Sequence, residues 1–203
     1  MTDSKAQARR KAIAARSSIP LEQRAQRSQK LCERLICTYE SALVPGAVVA
    51  AFYPFGSELD VRMFIRQAWE RGCRVCLPCM VSFHAEGAER SAGEMVFFEM
   101  DWGEIEERRA PFLKNPSRLI DEGDPRIQAY VRVNPKEMDV VVSPLVAFDG
   151  QGNRLGYGGG NYDRFFCGLR PDAKVFGVAF EEQYFENVPC EPHDIKLPTV
   201  EIV

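Results

Sequence analysis

The sequence predicts an α/β domain built around a mostly parallel sheet. Short apolar runs with the length of buried strands occur at 48–53, 139–145 and 174–180. Between them lie segments whose apolar residues recur every three or four positions, as on one face of a helix. Strands that alternate with helices form parallel sheets, because each returning helix brings the next strand in the same direction.

The elements of the first half follow one another in a regular order. Residues 4–16 are rich in Ala, Arg, Lys and Gln and favour a basic first helix. Pro20 suits the first turn of a second helix. A third helix is predicted over 58–71 from its apolar spacing, and Gly72 is placed to end it. Further strands are predicted at 74–78, 95–98 and 199–203.

The second half contains the strand with the most continuous apolar run, at 139–145. Before it, residues 101–135 are rich in charge and proline and lack a clear period, which predicts an irregular, largely surface excursion. After it come a turn at 149–152, a glycine cluster and a helix that begins near Asn161. All these elements are expected to form one domain, residues 1–203.

The composition indicates a globular protein that stays inside the cell. The chain has 203 residues, of which 45% are hydrophobic and 27% charged, so a core can form without disulfide or metal staples. No run of eighteen apolar residues could span a membrane, and the polar N-terminus lacks the apolar core of a signal peptide. The seven scattered cysteines are typical of reduced thiols. A cytoplasmic location is therefore expected.

The charge is unevenly distributed along the chain. The first 30 residues carry eight basic and two acidic side chains, although the whole chain has a net charge of −3. A basic segment on an acidic body can attract an anionic ligand. It can equally be the solvated face of a helix, and charge alone favours that interpretation.

The segment 154–163 is the best candidate for ligand binding. It follows a buried strand and precedes a helix, and ligands of open α/β sheets bind at the carboxyl ends of strands. Its three consecutive glycines would let a phosphate approach backbone N–H groups, and Arg154 adds a planar charged donor. Neither known nucleotide-binding glycine motif matches it, and glycine clusters also form plain turns.

Two acidic residues have both a functional and a structural interpretation. Asp163 directly follows the glycine segment, and a carboxylate beside phosphates calls for a bridging cation such as Mg²⁺. An acidic residue in the first turn of a helix fits the same pattern equally well. Glu58 could accept hydrogen bonds from a ligand, but its position also suits a first-turn helix acid.

The spacing of the cysteines and histidines does not predict a metal centre. Cys73, Cys76 and Cys79 follow one another at steps of three, which on a strand point to alternate faces. They are therefore predicted to be packing residues. His84 and His193 form no ligand pair of recognised spacing.

The residues at 144–149 and 154–164 resemble the signature of the 5-formyltetrahydrofolate cyclo-ligase family. They read Pro-Leu-Val-Ala-Phe-Asp and Arg-Leu-Gly-x-Gly-Gly-Gly-x-Tyr-Asp-Arg. Weaker matches follow in the family's order over nearly the whole chain, at Lys5, Arg9, 52–60, 75–78, 177–180 and 188–194. Two positions depart from the family, which usually has tyrosine at Asn161 and often has Glu-Pro at Asn115-Pro116.

The resemblance implies a three-layer α/β/α fold and an ATP- and Mg²⁺-dependent reaction. The family cyclises 5-formyltetrahydrofolate to 5,10-methenyltetrahydrofolate and releases ADP and phosphate. The implied partners are these small molecules, without nucleic acid or membrane, and a monomer is expected. ATP is needed because a formamide oxygen is a poor leaving group, and the protein supplies mainly positioning and charge stabilisation.

The resemblance also implies roles for individual residues. ATP would be bound by Lys5, Arg9, Arg154, Leu155, Gly156, Tyr157, Gly158, Gly159, Gly160, Asn161 and Tyr162. The folate would be contacted by Tyr53, Glu58, Tyr157, Gly158, Gly159, Gly160 and Asn161. Asp163 and Asp194 would bind Mg²⁺, and the catalytic groups would be Arg154, Tyr162 and Asp163.

Three other functions are alternatives to this one. A non-catalytic regulator that binds nucleotide or folate on the same fold would carry the same motifs. A sugar-phosphate isomerase or CoA-transferase-like enzyme would not explain the basic first helix together with the Asp163 segment. An RNA-binding protein using residues 5–30 lacks support, because no aromatic side chain precedes Tyr39.

Overall fold

A computed structural model of the chain describes residues 4–83 and 92–203; His84 lies outside these ranges. Its helices are α1 (Lys5–Ser18), α2 (Leu21–Thr38), α3 (Arg62–Glu70), α4 (Trp102–Glu106), α5 (Pro111–Lys114), α6 (Pro125–Gln128) and α7 (Asn161–Phe166). Its strands are β1 (Val48–Ala50), β2 (Arg74–Phe83), β3 (Ala92–Glu99), β4 (Ile120–Asp121), β5 (Arg132–Val133), β6 (Val140–Pro144), β7 (Ala147–Phe148), β8 (Arg154–Leu155), β9 (Lys174–Ala179) and β10 (Val200–Ile202). Within the described ranges, no helix has both the length and the apolarity needed to cross a bilayer.

The main sheet has the strand order β10-β9-β6-β1-β2-β3-β5, and β4 pairs with β2. The pairs from β10 to β2 are all parallel, whereas β3 and β5 are antiparallel to their neighbours. The predicted mostly parallel sheet is confirmed. Because β1 and β6 are parallel neighbours, their carboxyl ends lie side by side at one edge of the sheet.

Helices cover both faces of this sheet. Val49 of β1 belongs to a buried cluster with Leu31 of α2 and Phe64 of α3. Its neighbour Val48 belongs to a second cluster with Phe165 of α7. Since successive residues of a strand point to opposite faces, the two clusters lie on opposite sides. The α/β/α arrangement implied by the resemblance is confirmed.

Helix α1 packs beside the small hairpin formed by β7 and β8. Its residues Ala8 and Ala12 are fully buried, in one cluster with Leu155 of β8. Such small side chains allow a helix to approach its neighbour closely. Lys5 and Arg9 lie on the same face as these alanines, because residues three or four apart share one side of a helix. The packing therefore turns the basic residues toward the glycine segment.

The third helix begins at Arg62 rather than at the predicted residue 58. The preceding residues form a turn in which Gly56 has φ 63°, in the left-handed region that glycine tolerates best. Glu58 Oε2 accepts a hydrogen bond of 2.9 Å from the Phe55 N–H. Such local bonds compete with helix formation. The interpretation of Glu58 as a first-turn helix acid was therefore wrong.

The prediction that 101–135 is a largely surface excursion is confirmed for most of its residues, but it missed the few apolar residues that are buried. Ile105 and Phe112 have no exposed area, and Ile127 is 2% exposed. Strands β4 and β5 of this segment pair with β2 and β3. Each of its helices has only four or five residues. Helices that short bury one or two apolar residues each, which leaves no period to detect in the sequence.

The three closely spaced cysteines point to different faces, as predicted. Cys76 belongs to the cluster around Phe165, whereas Cys73 and Cys79 belong to the opposite one. Burial raises the pKa of Cys79 to about 12, so that its thiol stays protonated at neutral pH. These residues are packing cysteines rather than metal ligands.

Candidate active site

A cavity of about 930 Å³ opens at the sheet edge where β1 and β6 end. Its walls include Phe52 and Tyr53, which follow β1, and Pro144, the last residue of β6. This is the position at which open α/β sheets bind ligands. Every residue to which the resemblance gives a binding or catalytic role lines this cavity. Their individual roles stay predictions.

The glycine segment joins β8 to α7 in a conformation that other residues would strain. Gly158 has φ 104° and Gly160 has φ 62°, both in the region that favours glycine. A Cβ on Gly158 would lie 3.3 Å from the Arg9 guanidinium carbon. Arg9 Nε donates a hydrogen bond of 2.8 Å to the Gly156 carbonyl. Glycine therefore lets the basic helix α1 reach the backbone of the loop.

Arg154 and Asp163 form an ion pair across the two ends of this segment. Arg154 Nη1 lies 3.0 Å from Asp163 Oδ1, and the two side chains are 5% and 22% exposed. The same oxygen accepts a 3.0 Å hydrogen bond from the Ile195 N–H. A bridging cation such as Mg²⁺ is predicted beside Asp163, and the Arg154 guanidinium is a cation that already lies there. Charge alone therefore does not require a metal here.

Two buried polar atoms of the cavity have no hydrogen-bond partner within 4–83 and 92–203. They are Arg154 Nη2 and the Tyr162 hydroxyl oxygen. Burial raises the pKa of Tyr162, so its hydroxyl keeps its proton at neutral pH. Unpaired buried polar groups are rare in native proteins because they forfeit their hydrogen bonds to water. Both groups are therefore donors available to a ligand.

Lys5 is held between two carboxylates at the other side of the loop. Its Nζ lies 2.6 Å from Asp194 Oδ2 and 2.7 Å from Glu191 Oε2. Partial burial opposes the charge of Lys5, but the two hydrogen bonds outweigh it and raise the pKa. Burial likewise opposes ionisation of Asp194, but bonds from Lys5 and the Glu191 N–H lower its pKa. Both groups are therefore charged at neutral pH.

Sequence reasoning missed that His193 shares a cluster with two acids. Possible ligand atoms of Glu191, His193 and Asp194 lie within 4.8 Å of one another. The other histidine, His84, is far from His193 in sequence, whereas the carboxylates of Glu191 and Asp194 are close to it. The spacing Glu-x-His-Asp was the available signal.

Glu58 lies at the opposite end of the cavity and takes part in a hydrogen-bond network. Its Oε1 accepts a 2.8 Å hydrogen bond from the Tyr157 hydroxyl, which in turn accepts one of 2.8 Å from Arg16 Nη2. Burial raises the pKa of Glu58, against the opposing effects of the Phe55 N–H, Tyr157 and Arg16. Sequence reasoning named Glu58 and Tyr157 but missed Arg16, because nothing in the helix marks it as buried.

The remaining wall of the cavity is mainly apolar. It includes Phe52, Phe55, Met80, Met95, Phe112 and Leu113. Tyr53 adjoins this wall, and its hydroxyl accepts a hydrogen bond of 2.6 Å from Arg108 Nε. Aromatic and methionine side chains suit a flat ring system. The excursion 101–135 thus contributes directly to the cavity.

Asn161, where the family usually has tyrosine, makes two hydrogen bonds beside this wall. Asn161 Nδ2 donates a hydrogen bond of 3.4 Å to the sulfur of Met80, and Asn161 Oδ1 accepts one from Arg164. The other departure, Asn115, does not line the cavity, although its neighbours Pro116 and Ser117 do. The first departure therefore bears on ligand contacts, whereas the second acts only through its neighbours.

The chain matches one protein family over nearly its whole length. The model of the 5-formyltetrahydrofolate cyclo-ligase family matches residues 1–202. A 5-formyltetrahydrofolate cyclo-ligase of Escherichia coli is 32% identical over 186 residues, which are 91% of this chain and 92% of that protein. An enzyme of the same name from Mycolicibacterium smegmatis is 28% identical over 157 residues, 77% of this chain and 74% of that one.

Two solved structures have a similar fold. A 5,10-methenyltetrahydrofolate synthetase from Mycoplasma pneumoniae superimposes with a TM-score of 0.72 at 18% identity, over 98% of both chains. The Aquifex aeolicus 5,10-methenyltetrahydrofolate synthetase gives a TM-score of 0.66 at 26% identity, over 98% of this chain and 89% of that one. At 18% identity the first likeness supports the fold alone.

Proposed function

This chain belongs to the 5-formyltetrahydrofolate cyclo-ligase family, and on that premise we propose that it cyclises 5-formyltetrahydrofolate to 5,10-methenyltetrahydrofolate at the expense of ATP. One observation carries the proposal. A single cavity joins a glycine loop flanked by Lys5, Arg9 and Arg154 to an apolar wall that ends near Glu58. The cationic end suits a triphosphate, and the apolar end suits a fused ring with hydrogen-bond donors.

The reaction proceeds in two successive displacements, and this cavity can hold the reacting groups of both substrates next to each other. The formyl oxygen attacks the γ-phosphorus of ATP and ADP leaves, which gives an imino-phosphate. N10 of the folate then attacks the activated carbon and releases its proton, and phosphate departs with the former formyl oxygen. The protein contributes mainly alignment and stabilisation of charge on the transferring phosphoryl group.

The cationic groups of the loop would bind the nucleotide. Arg154 Nη2 is buried without a partner in the described part of the chain and can donate to a phosphate oxygen. The Tyr162 hydroxyl offers a second such donor. Arg9 lies against the loop backbone, and Lys5 is held beside Asp194. These donors support placing the phosphates between α1 and the glycine segment.

The residues present fit a Mg²⁺ ion bound together with a nucleotide. Asp163 uses Oδ1 for Arg154 and Ile195, and Asp194 uses Oδ2 for Lys5 and the Glu191 N–H. Among the described residues the other oxygen of each carboxylate accepts no hydrogen bond, although His193 Nε2 lies 3.9 Å from Asp194 Oδ1. Mg²⁺ prefers one or two carboxylates plus phosphate oxygens, and these oxygens would suit it. The ion would neutralise charge that develops on the phosphates.

The folate would bind against the apolar wall with its ring N–H groups toward Glu58. The two carboxylate oxygens of Glu58 each accept one hydrogen bond from the protein. A carboxylate has about four acceptor positions, so each oxygen can accept a further bond from a ligand. Tyr53 would lie beside the ring. The monomeric state expected from the resemblance stays a prediction.

The proposal is tested by the formation of the methenyl product, followed by its absorbance. The purified protein should form product only when 5-formyltetrahydrofolate, ATP and a divalent cation are all present. Omission of each component in turn provides the controls. Binding of ATP or folate without turnover would instead identify a non-catalytic regulator on the same fold.

Replacement of Lys5 tests the nucleotide end. In Lys5→Ala we expect the KM for ATP to rise about tenfold, since a charge-assisted hydrogen bond to phosphate is lost. The KM for the folate should stay unchanged. Lys30→Ala removes an exposed lysine of α2 and serves as the matched control. An unchanged KM for ATP in Lys5→Ala would leave Lys5 only the role of pairing with Asp194 and Glu191.

A further inference from the structure

Arg16 is a buried arginine that does not line the cavity. It is 3% exposed, although arginine is seldom buried without a carboxylate partner. Within the described ranges its guanidinium forms no salt bridge. Nη2 donates to the Tyr157 hydroxyl at 2.8 Å, Nε to Ser57 Oγ at 3.1 Å and Nη1 to the Leu145 carbonyl at 3.4 Å. Through the Tyr157 hydroxyl these hydrogen bonds connect Arg16 to the carboxylate of Glu58.

The proton positions in this network are fixed by chemistry. Arginine has donors only, so the Tyr157 hydroxyl must accept from Arg16 and give its single proton to Glu58. Burial, and then the Glu58 carboxylate, raises the pKa of Tyr157 to about 12, so the hydroxyl is protonated at neutral pH. Hydrogen bonds arranged in series polarise one another. The positive charge of Arg16 therefore acts on Glu58 through Tyr157.

Three elements besides its own turn present polar groups to Glu58. They are α1 with Arg16, the glycine loop with the Tyr157 hydroxyl, and α7 with Tyr162, whose hydroxyl stays neutral. Within its own turn, the Phe55 N–H bonds Oε2. Of these groups only Arg16 bears a positive charge. Burial disfavours the charged carboxylate, and Arg16 is the cation that opposes this effect.

Arg16 also lies on the helix face that carries Lys5 and Arg9. Positions five, nine and sixteen share one side of α1, spread over roughly 16 Å of helix. The helix that brings cations to the nucleotide end thus also anchors the acid at the folate end. This arrangement gives one rigid element a role at both ends of the cavity.

We propose that Arg16 is a positioning residue that acts through the Tyr157 hydroxyl to keep the Glu58 carboxylate ionised and oriented for the folate substrate. The inference rests on the proposed function, because it assigns the folate to Glu58. A purely structural role is the alternative, since Arg16 also bonds Ser57 and the Leu145 carbonyl and so anchors α1.

The test measures binding of 5-formyltetrahydrofolate and of ATP over a pH series, by titration calorimetry. The variants are Tyr157→Phe, Arg16→Met and Glu58→Gln, each alone and Tyr157→Phe combined with each of the others. Tyr157→Phe removes only the bridging hydroxyl of a ring that is 58% exposed, so the fold should persist. Arg10→Met replaces an exposed arginine of the same helix and is the control.

We expect Tyr157→Phe to weaken folate binding about tenfold at neutral pH and to weaken ATP binding less, because the ring in the glycine loop is kept. Without the donor the carboxylate is harder to ionise, so the pH below which folate binding is lost should move upward. Arg16→Met should move it in the same direction, and the double variant of Arg16→Met with Tyr157→Phe should move it no further than Tyr157→Phe alone. In the Glu58→Gln background, Tyr157→Phe should produce no pH shift.

A wild-type pH midpoint in both Tyr157→Phe and Arg16→Met would overturn the inference. If Arg16→Met bound ATP more weakly but kept the wild-type pH midpoint for folate binding, the only role of Arg16 would be to anchor α1. These outcomes are distinct from failure of the proposed function, in which the wild-type protein itself would not bind 5-formyltetrahydrofolate at any pH.

Discussion

The Asp163→Asn variant is expected to lose turnover by a factor of about 10² to 10³, the usual effect of removing one preorganised charge from a transition state. Asparagine keeps an oxygen for Arg154 and for the Ile195 N–H, so the local geometry should persist. What disappears is the negative charge that would bind Mg²⁺ through the second oxygen. Steady-state kinetics at several Mg²⁺ concentrations should show that the variant needs more Mg²⁺ to reach half of its maximal rate.

The structure predicts that this variant also loses some stability. Arg154 is 5% exposed at its side chain and would lose its only ionic partner in the described residues. We expect the free energy of unfolding to fall by on the order of 1–2 kcal/mol. The reason is that an ion pair becomes a hydrogen bond between the charged Arg154 and a neutral amide. Thermal unfolding followed by circular dichroism measures this effect separately from turnover.

The matched control for Asp163→Asn is Asp172→Asn. Asp172 is a carboxylate that is 78% exposed and lies beside Arg170, away from the cavity. It should leave both turnover and the dependence on Mg²⁺ unchanged. If Asp163→Asn retained full turnover at limiting Mg²⁺, Asp163 would not be a metal ligand, and its role would reduce to orienting Arg154.

The Arg154→Lys variant is expected to be nearly as inactive, although the positive charge is kept. Arg154 uses one nitrogen for Asp163 and leaves Nη2 unpartnered, and its guanidinium lies 4.9 Å from the centre of the Phe166 ring. Lysine presents a single point charge and cannot reproduce both the pair and the free planar donor. We expect turnover to fall about 10²-fold or more.

A comparison with Arg170→Lys separates chemistry from packing. Arg170 is likewise paired with a carboxylate, Asp139, but it is half-buried where Arg154 is buried, and it does not line the cavity. Both variants should unfold at similar temperatures, whereas only Arg154→Lys should lose turnover. Wild-type turnover in Arg154→Lys would show that charge alone suffices at this position, and the free Nη2 would then have no catalytic role.

Much of the fold could be predicted because its signals are local. The apolar runs at 139–145 and 174–180 and the terminator Gly72 each correspond to an element or an element end in the structure. The hairpin of β7 and β8 was missed because its strands have two residues each. Strands that short have no alternation to detect. Their pairing depends on α1, which comes from the distant N-terminus.

The part of the candidate site whose functional residues belong to one continuous segment could be predicted from the sequence. The glycine loop, Arg154 and Asp163 are close in sequence, so their proximity in space followed from the predicted strand and helix. The contact of Arg16 with Tyr157 and that of Glu191 with Lys5 could not be found in that way, because the partners lie 141 and 186 residues apart. Such contacts depend on how α1 docks, which the composition of a basic helix does not specify.

The pairing of Arg154 with Asp163 shows the same limit at shorter range. The sequence predicts that a carboxylate beside a phosphate site requires a cation. It could not indicate that the cation was already part of the loop, because that depends on the side chains meeting across Gly156–Gly160. The sequence predicts that the charge of Asp163 must be neutralised. Only the packing of the side chains shows that Arg154 neutralises it.

The ratio of ADP to methenyl product formed by the purified protein tests the central claim most directly. We predict equal amounts of the two, with one phosphate released for each, because the formyl oxygen must be phosphorylated before N10 can close the ring, and it then leaves as phosphate. Methenyl product formed without ADP would contradict the account, as would ADP formed at the same rate without 5-formyltetrahydrofolate.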